Sequence, residues 1–211
     1  MKADTGLLAG RSPERSSRKA ATRQRVLDAA RELFDTHGYQ GTTIREIARH
    51  AGVSVGSVFT TFASKGEILS EVMSARLGPL VGELNQVMAH LRGSTADRLR
   101  TLFAIHFEFE CRQTRLFLSH IAAAFDWTLP VTARAFGRTP QLVQIVRACL
   151  QQGVEAGDIR ADLDLDEAVQ LLVAAYAWTY RLALQEEMDV QALIAVMDRQ
   201  IGLAVDGFAA R

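Results

Sequence analysis

His106 and Glu110 stand one helical turn apart in a stretch that also carries Leu99, Leu102, Phe103 and Phe109. An imidazole and a carboxylate so placed could move a proton, ligate a metal or hold the polar end of a ligand. Left unpaired inside a core, each would cost about 1–3 kcal/mol. They are therefore either a mutually satisfied core pair or the anchor of an apolar pocket. The pocket reading draws in Phe103, Phe107, Phe117, His120, Trp127 and Tyr176, aromatic and imidazole groups that equally suit a filled core. A metal site would use His106, Glu110, Cys111 and His120. On a wheel of about 100° per residue, however, Cys111 points away from His106, so neither metal nor cofactor is expected. There is no Gly-x-Ser-x-Gly, no phosphate-cradling glycine loop and no His-Glu-x-x-His, which argues against an enzyme. The two cysteines, Cys111 and Cys149, lack close spacing and suit reduced core thiols.

A second group of residues suits reading rather than making bonds. Thr42-Thr-Ile-Arg-Glu-Ile-Ala48 is followed by Ala51-Gly-Val and Ser54-Val-Gly-Ser-Val-Phe-Thr-Thr-Phe62. Ala48 permits close helix crossing and Gly52 suits the positive φ of a turn, while Ile47, Val53, Val58 and Phe62 form a miniature core. Val55, Gly56, Ser57, Thr60 and Thr61 then face outward. None is charged, so base reading there would use thymine methyls and water rather than arginine–guanine pairs. The net charge of the 211-residue chain is zero, but its first 65 residues hold eleven Lys or Arg against six Asp or Glu, leaving the remainder acidic by the same margin. A basic head on an acidic body attracts phosphates locally.

These groups need helices to position them. Residues 1–16 read as a disordered basic arm. Apolar spacing predicts a first helix from Ser17 to His37, stopped by Gly38. Thr43-x-x-Glu46 is a capping box for a second helix to about His50, Ser54 caps a third through Phe62, and Ser64-x-x-Glu67 opens a long fourth that Pro79 should kink or end. The loops fall at 92–95, 126–140 and 157–164, and Asp164 and Asp189 cap two closing helices, about 165–186 and 190–208. The expected fold is all-α: a helix-turn-helix domain at 17–65 and a helical ligand-binding and dimerisation domain at 66–211. No run is long and apolar enough to span a membrane and Met1–Gly10 lacks the apolar stretch of a signal peptide, so a cytoplasmic location is expected.

The segment from Thr42 to Lys65 resembles the signature of the TetR family of bacterial regulators. That resemblance implies a homodimer with an N-terminal three-helix DNA-binding domain and a C-terminal domain whose small-molecule occupancy releases the operator. It assigns DNA contacts to Thr42, Thr43, Arg45, Ser54, Val55, Gly56, Ser57, Phe59, Thr60, Thr61 and Lys65, with Thr43 and Lys65 on phosphates. Phe59 stands where the family commonly has a phosphate-binding tyrosine, and Thr61 where a histidine or tyrosine is frequent. Arg11, Arg15, Arg18 and Lys19 are placed to compensate.

The apolar arc of the last helix spans roughly 200°, twice what packing on one side needs. This assigns a four-helix homodimer interface to Leu171, Trp178, Leu182, Leu193, Val196, Met197, Ile201, Ala204 and Phe208. The chain reads as a ligand-responsive repressor on a palindromic double-stranded operator, with an effector that is partly apolar. The alternatives are a DNA-binding regulator controlled by a protein partner with no small ligand, and, more distantly, an all-helical enzyme.

Overall fold

The computed structural model describes residues 13–124, 140–186 and 188–209. The described residues form α1 (Pro13–Gly41), α2 (Ile44–His50), α3 (Val55–Phe59), α4 (Lys65–His90), α5 (Thr95–Glu110), α6 (Thr114–Ala124), α7 (Pro140–Ala156), α8 (Leu165–Gln185) and α9 (Val190–Phe208). A 3₁₀ turn, Cys111–Gln113, joins α5 to α6, and a lone antiparallel bridge between Ile159 and Ala209 pins the end of α9. No strand occurs among the described residues, and no helix of theirs is long and apolar enough to cross a membrane.

Local chemistry sets most helix starts. Thr43 Oγ1 accepts from the Glu46 amide while the Glu46 carboxylate accepts from the Thr43 amide, closing the expected capping box. The Thr43 hydroxyl and then the Thr43 amide, both donating to the Glu46 carboxylate, hold that carboxyl below its ordinary value. Ser54, Ser64, Asp164 and Asp189 cap α3, α4, α8 and α9 as expected. Glu67, however, reaches back to the Ala63 amide rather than to that of Ser64. Ser94 and Asp97 form a further box at the start of α5.

Several boundaries differ from expectation. Helix α1 begins at Pro13, four residues early, because proline suits a first helical turn. It breaks at Gly38, whose φ of 73° only glycine adopts cheaply, and a last turn continues to Gly41. α3 ends at Phe59 and not at Phe62. Pro79 does not end α4, which continues to His90. Proline removes one backbone donor, and α4 is held along its length by packing on α1, α5, α6 and α7.

The core is continuous from end to end. Val26, Ala30 and Phe34 of α1 bury against Ile47, Val58, Phe62, Ile68 and Leu69, forming the head. In the body, α5 lies central, packed by α4, α7 and α9, and α8 packs on α7 and α9. Helix α6 packs along α1 and thus joins head to body.

Candidate functional site

The head presents α2 and α3 across a tight turn in which Gly52 takes φ 64°. Arg45, Val55, Gly56, Phe59 and Thr60 are exposed, and Ser57 and Thr61 are half-buried. Phe59 is 57% exposed, a large apolar ring with no core to enter. The small hydroxyls are already engaged. Thr60 and Thr61 donate to the Ser57 carbonyl at 2.9 and 2.8 Å, and the Ser54 and Ser57 hydroxyls share a 2.8 Å bond. With its proton so used, a threonine hydroxyl presents lone pairs outward and pairs best with a base amino group.

Two residues expected on DNA also make bonds within the head. Thr42 is 1% exposed and its hydroxyl donates to the carbonyls of Gly38 and Leu33, closing the end of α1. It is a buried cap on the end of α1. The Lys65 ammonium donates to the carbonyls of Tyr39 and Thr42 at 2.7 and 2.8 Å and stands 4.2 Å from the centre of the Tyr39 ring. It therefore clamps α4 to the turn after α1. Arg18 and Lys19 are exposed on α1.

Within the body a cavity of about 60 Å³ lies between α4, α5, α6, α7 and α8. Leu77, Leu102, Leu142, Val143, Val146 and Val173 make it apolar, and Phe103, His106, Glu110, Phe117, His120 and Tyr176 complete the wall. Six of the eight residues expected at a pocket thus line one. Phe107 does not: fully buried, it packs behind Tyr176 and Tyr180 at ring separations of 4.8 and 4.9 Å. Trp127 lies outside the described residues. The His106 ring stacks on Tyr176 at 4.5 Å and 16°, and Tyr176 donates from its hydroxyl to that of Tyr180 at 3.2 Å. Burial raises both phenols above their ordinary range and pushes His120 down to about 4, so His120 is neutral near pH 7.

His106 and Glu110 are not a self-satisfied pair. Glu110 is fully buried, and one of its oxygens pairs with Arg76 of α4, whose guanidinium also donates to Gln113 Oε1 and the Phe109 carbonyl. The other oxygen, Oε1, lies 3.6 Å from His106 Nε2, and neither atom has a hydrogen-bond partner among the described residues. Arg76 has no signal at helical spacing from Glu110, being 34 residues away. The described residues contain no cluster of three His, Cys, Asp or Glu suited to a metal.

The cavity and the head share α6. Phe117 and His120 face the cavity. On the same helix Ser119 Oγ accepts from the Tyr39 amide at 3.0 Å and the Arg115 guanidinium donates to the Thr36 carbonyl at 3.0 Å. Both latches grip the end of α1, on either side of Gly38.

The proposed homodimer face needs correction. Leu193, Met197 and Ile201 are at most 1% exposed within one chain, and Phe208 is 9% exposed. This inner side of α9 lies against α5 and α8, which the width of an apolar arc could not reveal. What α8 and α9 leave outward is Leu171, Trp178 and Leu203, at 52, 56 and 76% exposure, with Leu182, Val196 and Ala204 partly covered.

The family model for bacterial regulatory proteins of the tetR family matches residues 26–72. The chain is 31% identical over 156 residues to the HTH-type transcriptional repressor KstR2 of Mycolicibacterium smegmatis, covering 74% of this chain and 76% of that one. It is 30% identical over 148 residues to the HTH-type transcriptional regulator SrpR of Pseudomonas putida, covering 70% and 68%. Among solved structures, FadR of Thermus thermophilus in complex with lauroyl-CoA aligns with a TM-score of 0.71 at 28% identity, over 90% of this chain and 96% of that one. Bacillus subtilis FadR in complex with stearoyl-CoA aligns at 0.72 and 20% identity, over 88% and 98%, a likeness of fold.

Proposed function

Because the chain belongs to the TetR family of bacterial regulatory proteins, and so is a DNA-binding transcriptional regulator, we propose that it represses through α3 on a palindromic operator and lets go when a small molecule fills the body cavity. The contact set we assign to DNA is Arg45, Val55, Gly56, Ser57, Phe59, Thr60 and Thr61, with Thr43 and Ser54 at the helix starts. Thr42 and Lys65 support the geometry from behind. Two heads are needed to read two half-sites, so the working unit is a homodimer.

The observation that carries ligand control is the double use of α6. A molecule that pushes Phe117 and His120 outward moves the helix whose Ser119 and Arg115 hold the end of α1. Because α1 packs on α2 and α4, the displacement changes where α3 sits relative to its symmetry mate. The cavity is small, room for a few waters, so an effector the size of an acyl chain must open it as it enters. That FadR of Thermus thermophilus is solved with lauroyl-CoA supports an apolar effector for this chain too.

The test is a duplex selected from a random pool, titrated at several salt concentrations with and without candidate apolar compounds. Specific, salt-sensitive binding that a compound reverses, with that compound bound more weakly in the presence of DNA, is the expected result. Equal affinity for scrambled duplex overturns the operator reading. Operator binding that no compound alters, but that a protein in the native extract does, favours a partner-controlled regulator.

A further inference from the structure

Among the described residues the cavity wall is mostly apolar, and beside His120 and Tyr176 it holds one polar pair, Glu110 Oε1 and His106 Nε2, which stand 3.6 Å apart, neither with a hydrogen-bond partner among those residues. Glu110 is wholly buried and His106 is 93% buried, so bulk water does not satisfy either. We propose that this pair is a receptor for one hydroxyl group, and that the effector is a neutral apolar molecule carrying an alcohol or phenol. The inference deepens the ligand-responsive reading and rests on it only for the word effector; the site itself can be tested without DNA.

The argument is one of donors and acceptors. A carboxylate oxygen only accepts, and a carboxylate 3.6 Å away favours the His106 tautomer with its proton on Nε2, which only donates at that atom. A hydroxyl does both at once, and an oxygen about 2.8 Å from each atom closes a triangle on their 3.6 Å separation. An ether or ester oxygen could accept from His106 but would leave Glu110 unpaired. A ligand carboxylate would meet the Glu110 oxygen with like charge. Arg76, the cation paired with Glu110, is spent on that carboxylate, Gln113 and the Phe109 carbonyl and is not among the described residues that line the cavity. An ammonium could donate to Glu110 but finds a donor, not an acceptor, in His106, and must be desolvated among leucines and valines. His120 adds no charge, being neutral near pH 7.

Five compounds of nearly one shape decide the matter: benzyl alcohol, benzyl methyl ether, benzylammonium, benzoate and toluene. Their binding to the full chain, without DNA, can be ranked by ligand-observed NMR and calorimetry. Benzyl alcohol should bind at least about tenfold more tightly than each of the others, a single charge-assisted hydrogen bond being enough for that. In His106→Phe, which keeps a ring to stack on Tyr176, the advantage over toluene should shrink several-fold while toluene binding persists. If that variant does not fold, the order of the five on wild type still decides. Equal affinity for toluene and benzyl alcohol, preference for the ether, benzoate or benzylammonium, or no alcohol binding up to about 10 mM overturns the hydroxyl site. Failure of the regulatory reading looks different. Tight alcohol binding that leaves operator affinity unchanged would sink ligand control and keep the site, whereas operator release by compounds without any hydroxyl, with no alcohol preference, would do the reverse.

Discussion

Ser119 on α6 accepts a hydrogen bond from the Tyr39 amide at 3.0 Å, across 80 residues of sequence and directly after the φ 73° break at Gly38. The same hydroxyl donates to the Arg115 carbonyl at 2.9 Å, so it is oriented before it meets α1. Such a bond transmits position, because it fixes the end of one helix to the face of another. Ser119→Ala should cost about 1 kcal/mol of stability and speed exchange of the Tyr39 amide. With any compound that releases the operator from wild type, the ratio of operator affinities without and with compound should fall about tenfold. An unchanged ratio, with the Tyr39 amide deprotected, would move the coupling away from this contact.

Glu110 and Arg76 make a second long-range pair, and it changes what a mutation at Glu110 means. Removing the carboxylate leaves a guanidinium whose side chain is only 8% exposed without its countercharge. Glu110→Ala should therefore lose about 3–5 kcal/mol in denaturant unfolding, and is a poor reagent for separating ligand response from folding. Arg76→Met combined with Glu110→Leu should recover most of that loss, since two well-packed apolar groups replace the pair. A double variant as unstable as Glu110→Ala would show that the cost comes from something other than an abandoned charge.

How far the sequence carried the structure follows from the range of each cause. Thr43 with Glu46, Ser54, Ser64, Asp164 and Asp189 act within four residues, and each caps the helix it was expected to cap. His106, Glu110 and Tyr176 could be placed on a pocket because a polar pair on an apolar stripe is visible at helical spacing. Arg76 could not be attached to Glu110, nor Lys65 to the carbonyls of Tyr39 and Thr42, since those partners meet only after α1, α4 and α5 have packed. Leu193 and Met197 show the same limit: a wheel gives the breadth of an apolar face and not the neighbour, α5, that covers it.

Phe59 offers a gain rather than a loss. It is 57% exposed on α3, so Phe59→Tyr disturbs no packing and should change stability by less than about 0.5 kcal/mol. If the ring lies along the phosphate backbone, as in the family's common tyrosine, the added hydroxyl should raise operator affinity about tenfold. It should do so nearly equally for all sequences. Thr60→Ala should instead alter which base pair is preferred, read by selection from random duplexes. A Phe59→Tyr variant of unchanged affinity would place the ring away from phosphate.

His120 sets a window of acid sensitivity. Burial holds it at about 4 in the folded chain against an ordinary 6.5, so between these values the unfolded chain binds a proton that the folded one refuses. Its contribution is present above pH 6.5 and is lost progressively as pH falls to 4, amounting to about 3 kcal/mol over the whole window. Asp158, half-buried and held down against that burial by the Thr95 amide and hydroxyl, protonates only at lower pH. His120→Gln should flatten the stability profile between pH 6.5 and 4 relative to wild type. Parallel profiles for the two proteins would refute a buried neutral imidazole at this position.

Dimerisation should respond to the outer face of the closing helices and not to the inner one. Leu171 and Trp178 lie seven residues apart on α8, and Val196 and Leu203 seven apart on α9, so each pair shares a side of its helix. Trp178 is 56% exposed with the Arg181 guanidinium 3.9 Å from its ring centre, and Leu203 is 76% exposed, apolar surface that a lone protomer gains nothing by showing to water. Trp178→Glu and Leu203→Glu should therefore yield helical, folded monomers in sedimentation at micromolar concentration. Their operator affinity should fall by two orders of magnitude or more, because linked heads bind a palindrome as one unit and separate heads do not. Leu193→Glu should behave differently: at 0% exposure it forces a carboxylate into the seam between α9 and α5, and should lose more than about 4 kcal/mol along with its helicity. Monomeric, folded Leu193→Glu together with dimeric Trp178→Glu would reverse the assignment of the two faces.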